Sequence, residues 1–206
     1  MTDHILRTEE DLRAIYGNAS GRAAEKAIEK LDRHCRHFIS LSPFIVLSSA
    51  SAAGQGDVSP KGDGPGFVRV IDDSTIAIPD RPGNRRIDTL VNIVENPDVA
   101  VIFLIPGVRE TLRVNGKAEI STDPALLESM AVNGKLPITA IVIRVEQTFL
   151  HCAKSIIRSK LWDEATKVDR SVLPSLSRMI ADQAGMEIDE AKSEKQLEEA
   201  YRNTLY

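Results

Sequence analysis

Hydrophobic and polar positions alternate through the middle of this chain and recur at helical spacing towards both ends. Near the start, Thr8-Glu9-Glu10-Asp11 reads as a helix entry, with Thr8 able to cap and acidic residues in the first turn. Gly17 ends that helix, and Ala24, Ala27, Ile28, Leu31 and Cys35 predict a second from about Ser20 to His37. Pro43 closes the helical preface. Phe44–Leu47 then reads as a strand, Gly54-Gln55-Gly56 as a hairpin turn, and Val58–Asp63 as the return strand. A proline and a glycine in that return strand point to an edge, a bulge or the close approach of another group. Phe67–Ile71 and Thr75–Pro79 follow as strands about the Asp72-Asp73 turn, and Ile87, Leu90, Val91 and Val94 form a helix stopped by Asn96-Pro97. The most apolar run, Val99–Ile105, predicts a strand buried on both faces. Thr111–Val114 and Lys117–Ile120 predict either a hairpin or one long bent strand about Asn115-Gly116. Asp123-Pro124 opens a short helix, Ile138–Leu150 is a long alternating strand, and three helices (Ala153–Lys160, Pro174–Ala184, Asp189–Leu205) complete the chain.

Six or more short strands joined by local turns, with one central helix, favour a mainly antiparallel barrel over a doubly wound parallel sheet. The length, 206 residues, suits one compact domain with a helical appendage. A formal net charge of −4 argues against broad attraction to nucleic acid or anionic lipid, but not against a local basic pocket. No apolar run approaches the roughly 20 residues that cross a bilayer, and no basic-then-apolar leader opens the chain, so a cytoplasmic protein is expected. Cys35 and Cys152 do not make a disulfide framework.

The candidate chemistry concentrates in Asp80-Arg81-Pro82-Gly83-Asn84-Arg85-Arg86, between a strand and a helix. A helix N-terminus offers unpaired N–H groups and partial positive charge, and three arginines beside it make a candidate phosphate seat. The competing reading is a solvated basic turn. Elsewhere, His34-Cys35-x-His37 shares a helix face, but no second pair at structural-zinc spacing follows, so packing histidines are expected and no metal. His151 and Cys152 are neighbours on a strand and point to opposite faces, which disfavours a thiolate–imidazole pair. Gly54-x-Gly56 is a turn, not a dinucleotide fingerprint, because no helix pattern follows it.

Taken in order, several stretches carry a resemblance: Val58–Asp63, Gly66–Val70, Asp80–Arg86, Glu95–Pro97, Phe103–Gly107 and Glu110–Gly116. With His151–Lys154, Arg158-Ser159 and Leu161-Trp162, the succession resembles the pyridoxamine 5′-phosphate oxidase-like family of FMN-binding split barrels. The branch it resembles comprises FMN-dependent enzymes of unassigned substrate. The resemblance implies a six-stranded antiparallel split barrel forming a homodimer, with FMN in two clefts at the subunit interface. It implies that Ser59, Pro60, Lys61 and Gly62 line the flavin ring, and that Asp80 and Arg81 meet the ribityl chain. Asn84, Arg85 and Arg86 would then hold the phosphate. Thr111 and Arg113 would add contacts from a neighbouring strand, and His151, Cys152, Lys154 and Trp162 would close over the flavin from the partner subunit. Lys61 or Lys154 would stabilise negative charge on the reduced ring. Trp162 is otherwise read as an interface or core anchor.

The domain expectation is N-terminal helices over 1–40 packing on the barrel, a split-barrel core over 41–165, and a helical extension over 166–206. True pyridoxamine 5′-phosphate oxidases end in an Arg-x-His-like motif, whereas this chain finishes Tyr201-Arg202-Asn203-Thr204-Leu205-Tyr206, which disfavours the vitamin B6 activity itself. The expectation is an FMN-dependent oxidoreductase of a small molecule, with no protein nucleophile or acid–base dyad in evidence. The alternatives are a non-catalytic haem- or flavin-binding protein of the same fold and a deazaflavin-dependent reductase.

Overall fold

The structure, a computed structural model, describes residues 4–21 and 25–206. Its centre is one antiparallel sheet of seven strands: β1 Phe44–Ala50, β2 Gly56–Gly62, β3 Arg69–Val70, β4 Thr75–Asp80, β5 Asp98–Leu104, β6 Thr111–Ser121 and β7 Thr139–His151. The strands run in the order β2-β1-β5-β6-β7-β4-β3, which leaves β2 and β3 at the edges. This mainly β, flanked and incompletely closed sheet is the split-barrel architecture. The seventh strand is the two-residue β3, which pairs with β4 through Arg69↔Ala77 and Val70↔Ile76.

The main core lies on one face of this sheet, and a smaller cluster of Ala77, Leu127, Met130 and Ala140 covers part of the other. In the main core Ile45, Leu47, Ile76, Ile78, Val101, Phe103, Leu112, Val114, Ile141 and Ile143 are fully buried. The first helix, α1 (Glu9–Tyr16), has the capping box expected of Thr8 and Asp11 and buries none of its side chains. Helix α2 (Arg33–Leu41), capped by the Asp32 carboxylate on the N–H groups of His34 and Cys35, adds Cys35, Phe38 and Ile39 to the core. Helix α3 (Asp88–Glu95) adds Ile93. Short α4 (Pro124–Ser129), α5 (Lys154–Ser159), α6 (Leu176–Ala184) and α7 (Glu190–Thr204) follow, with 3-10 turns at Glu164–Thr166 and Arg170–Val172 between α5 and α6.

Two expectations change, and one left open is decided. The helix expected from Ser20 to His37, part of which lies outside the described residues, is broken over 26–32, and a helix runs from Arg33. Ahead of it Ile28 forms an antiparallel bridge with Thr148, exchanging backbone bonds of 2.9 and 2.7 Å. Pairing to an existing sheet and an aspartate cap thus outweigh the helical spacing of Ile28 and Leu31. Strand β5 is buried on one face only: Val99, Val101 and Phe103 point inward, while Ile102 stays 40% exposed. Finally, β6 is one continuous strand with a bulge where it pairs with β7, between Asn115 and Gly116.

That bulge decides which side chains share the outer face of the ribbon. Asn115 faces Gln147 and Gly116 faces Val145, so Glu146 is the extra residue of β7. One inserted residue reverses which positions face inward. Val145, Ile143 and Ile141 are buried before it and Thr148 after it, so Phe149 and His151 stand on the outer face with Arg113 and Thr111. Gly116 makes this possible: a Cβ there would sit 2.0 Å from the Arg144 carbonyl oxygen.

Candidate functional site

A cleft of about 730 Å³ opens between β2, the end of β4, the following turn and the start of α3. That volume falls among small-molecule sites. Its walls contain Ser59, Pro60, Lys61, Gly62, Asp80, Arg81, Asn84, Arg85 and Arg86, nine of the residues singled out from sequence. Asp63, Thr89 and Thr139 join them from positions with no distinguishing mark in the local pattern.

Alternation along β2 sets one wall. Asp57, Ser59 and Lys61 are half-buried, and Val58, Pro60 and Gly62 are exposed. Pro60 lacks an N–H, which is tolerated because β2 is an edge strand, paired only with β1. Lys61 Nζ donates to Asp80 Oδ1 at 2.9 Å, both side chains being mostly buried, which ties β2 to the end of β4. A second pair joins Asp63 to Arg81. Arg81 Nε and Nη2 lie 3.0 and 2.9 Å from Asp63 Oδ2, and Nη2 also donates to the Met130 carbonyl at 2.9 Å. The Asp63 side chain is 5% exposed. Burial would raise its carboxyl, but hydrogen bonds from the Tyr206 hydroxyl, the Gly64 N–H and Arg81, with the Arg81 charge, hold it below the usual carboxylate range.

The cleft has unsatisfied capacity. Among the described residues three buried side-chain atoms lack a partner: Arg81 Nη1, Thr139 Oγ1 and Glu194 Oε1. The first two belong to residues that line this cleft. Buried polar groups are normally paired, so a donor and a hydroxyl left over together mark a wall suited to a polar ligand.

The basic turn is more exposed and carries backbone strain. Arg85 and Ile87 have φ of 62° and 52°, in the left-handed region that side-chain-bearing residues rarely enter. For β-branched Ile87 that conformation costs on the order of 1–3 kcal/mol. It places Ile87 as the N-cap of α3 with no side chain on the helix's free N–H groups. Asn84 Oδ1 accepts from the Arg86 N–H at 3.0 Å, and Arg86 Nε donates to Asp88 at 2.8 Å. That last pair is exposed on both sides, so it contributes little and is easily exchanged.

Six residues chosen from sequence lie elsewhere, among them His151 at the end of β7. Thr111 and Arg113 are on β6; Cys152 and Lys154 follow β7, and Trp162 follows α5. None lines the cleft. The Trp162 indole donates to the Val108 carbonyl at 2.7 Å, so within one chain it anchors the loop after β5. The cysteines are free, Cys35 buried and Cys152 exposed. Burial pushes the Cys35 thiol up, consistent with packing. No group of three or more His, Cys, Asp or Glu side chains able to hold a metal occurs among the described residues. No described helix is long and apolar enough to cross a membrane.

Residues 31–152, more than half of the chain, match the pyridoxamine 5′-phosphate oxidase family, and the chain belongs to it. No curated protein matches. Among solved structures, the chain is similar to Group A Streptococcus HupZ, with 23% identity over 58% of this chain and 92% of that one and a TM-score of 0.48. It is similar to the conserved hypothetical protein Rv2991 of Mycobacterium tuberculosis, with 15% identity, 75% and 100% coverage and a TM-score of 0.47. It is also similar to General Stress Protein 26 of Bacillus anthracis str. Sterne, with 17% identity, 57% and 93% coverage and a TM-score of 0.43. The family assignment rests on the match over 31–152.

Proposed function

We propose that this protein is an FMN-dependent oxidoreductase acting on a small molecule as a homodimer, with the cleft as its flavin site. The observation that carries the reading is that Arg81 and Thr139, each with an unpartnered buried atom (Nη1 and Oγ1), line a cleft that also presents Asn84, Arg85 and Arg86. FMN combines a phosphate dianion, a hydroxylated chain and a ring with hydrogen-bonding edges, and the cleft's residues suit each part. Asn84, Arg85 and Arg86, beside the uncapped start of α3, would hold the phosphate. Asp80, Arg81 and Thr139 would meet the hydroxyls, and Ser59, Pro60, Lys61 and Gly62 the ring. When bound, FMN supplies the hydride or electron transfer.

The rest falls to the protein's own groups. The pairing of Lys61 with Asp80 fixes the direction of its side chain at what would be the ring wall. Asp63 does the same for Arg81. Cys152, Lys154 and Trp162 would close the site from the partner subunit. The test is spectroscopic. Protein with added FMN should bind it saturably, show flavin absorbance lost on dithionite reduction, and be reduced by a nicotinamide donor or a substrate panel. Binding without any donor would leave a cofactor carrier, and failure to bind would refute the assignment.

A further inference from the structure

On the outer face of the β6–β7 ribbon, three cross-strand pairs stand in a row: Thr111↔His151, Arg113↔Phe149 and Asn115↔Gln147. The last is joined side chain to side chain, Asn115 Nδ2 donating to Gln147 Oε1 at 3.0 Å. Around Phe149 three basic groups converge. Lys26 Nζ lies 4.7 Å from the ring centroid, the Arg113 guanidinium carbon 5.6 Å, and the His151 ring 5.4 Å. Arg113 is further steered by Asn115, whose Oδ1 accepts from its Nε at 3.2 Å. None of the ion pairs among the described residues involves Lys26, Arg113 or His151.

In a chain of net charge −4, these cations without carboxylate partners present a local positive potential to solvent. The Phe149 quadrupole attracts the cations and fixes their positions, but it carries no net charge. Burial first, then the charges of Lys26 and Arg113, push the His151 imidazole below its ordinary value. Arg113 offers a planar fork and Lys26 a point charge, the two ways proteins hold carboxylate and phosphate oxygens.

We infer that this platform is an anion-binding subsite that receives the carboxylate or phosphate group of the small molecule on which the protein acts. None of its groups lines the cleft, and it shares its face of the sheet with the exposed side chains of Ile102 and Phe44. Its identity as a substrate subsite rests on the function proposed above; its capacity to bind an anion does not, because all its groups belong to one chain.

The test uses FMN-free Arg85→Ala/Arg86→Ala protein, so that the cleft's own phosphate seat is removed. The His151 ring signals, assigned with a His151→Gln variant, are followed by NMR at fixed pH while inorganic phosphate, acetate or chloride is added at matched ionic strength. Phosphate or acetate should give a saturable shift that chloride does not, and the tighter of the two names the group recognised. Lys26→Ala and Arg113→Ala should each weaken that binding about tenfold. Phe149→Leu should weaken it without removing a charge, which a purely electrostatic surface effect would not do. Equal shifts with chloride, or binding unchanged in Lys26→Ala and Arg113→Ala, would overturn the inference. A parallel FMN titration of Lys26→Ala in the otherwise native protein separates the two sites: flavin affinity stays within about twofold, because Lys26 does not line the cleft.

Discussion

Replacing Arg81 with methionine tests the internal support of the cleft. The substitution keeps much of the side-chain volume but removes the charge facing Asp63, whose side chain is 5% exposed. Two contacts to Asp63 Oδ2 and one to the Met130 carbonyl disappear. Breaking a buried ion pair from one side costs roughly 3–5 kcal/mol, since the remaining charge has lost its partner. Here Asp63 Oδ1 keeps the Tyr206 hydroxyl and the Gly64 N–H, each at 2.7 Å, which favours the lower end, about 3 kcal/mol. For a chain of this size that is a fall in Tm of about 6–12 °C. Asp63→Asn combined with Arg81→Met removes both charges and should cost less than Arg81→Met alone, about 1–2 kcal/mol. The assay is urea unfolding of the wild type, both single variants and the double variant at neutral pH. A loss under about 1 kcal/mol for Arg81→Met, or simple additivity in the double variant, would refute the claim that this pair props the cleft.

Neighbouring contacts give further outcomes. Asp63 has a folded-state value below its unfolded one, so its contribution is present at neutral pH and lost as pH falls through the carboxyl range. The stability advantage of wild type over Asp63→Asn, read from urea midpoints, should therefore shrink below about pH 4. The hydrogen bond to Asp63, with burial and the Asp63 charge, raises Tyr206, so its contribution holds below its ordinary range and fades as pH climbs above about 10. A Tyr206→Phe protein should lack that alkaline component in the same unfolding series. Gly116→Ala drives a Cβ to 2.0 Å from the Arg144 carbonyl and should lower Tm strongly, by about 3 kcal/mol or more of stability, or prevent folding.

Much of the barrel is written in local pattern. The alternation of β1, β4 and β7 is carried by Ile45 and Leu47, Ile76 and Ile78, and Ile141 and Ile143, all fully buried. What the pattern misses depends on partners far along the chain. Ile28 has helical spacing to Leu31, yet its backbone is claimed by Thr148, 120 residues away (148 − 28). Val99–Ile105 reads as doubly buried because Ile102 is as apolar as Val101, although only the register of the sheet decides which faces water.

The cleft is legible to the same extent. Pro60 and Gly62 in a strand, and three arginines at a strand–helix junction, are local anomalies that mark it. Asp63 and Thr139 are ordinary residues in sequence. They matter only because Asp63 meets Arg81 and Thr139 pairs in register with Asp80. Tyr206 reaches Asp63 across 143 positions, a contact no spacing rule anticipates. The outer platform depends on the β7 bulge, since without Glu146 as the extra residue Phe149 and His151 would point to the opposite face.

The most direct measurement is an FMN titration, followed by flavin absorbance and fluorescence, of wild type and of Arg85→Ala/Arg86→Ala. Both arginines are exposed, so the double variant should fold as the wild type does. The account predicts saturable binding by the wild type and at least about 100-fold weaker binding by the variant, each arginine supplying a charge-assisted contact to phosphate. A wild type that stays colourless with added FMN, or a variant that binds as tightly as the wild type, would contradict it.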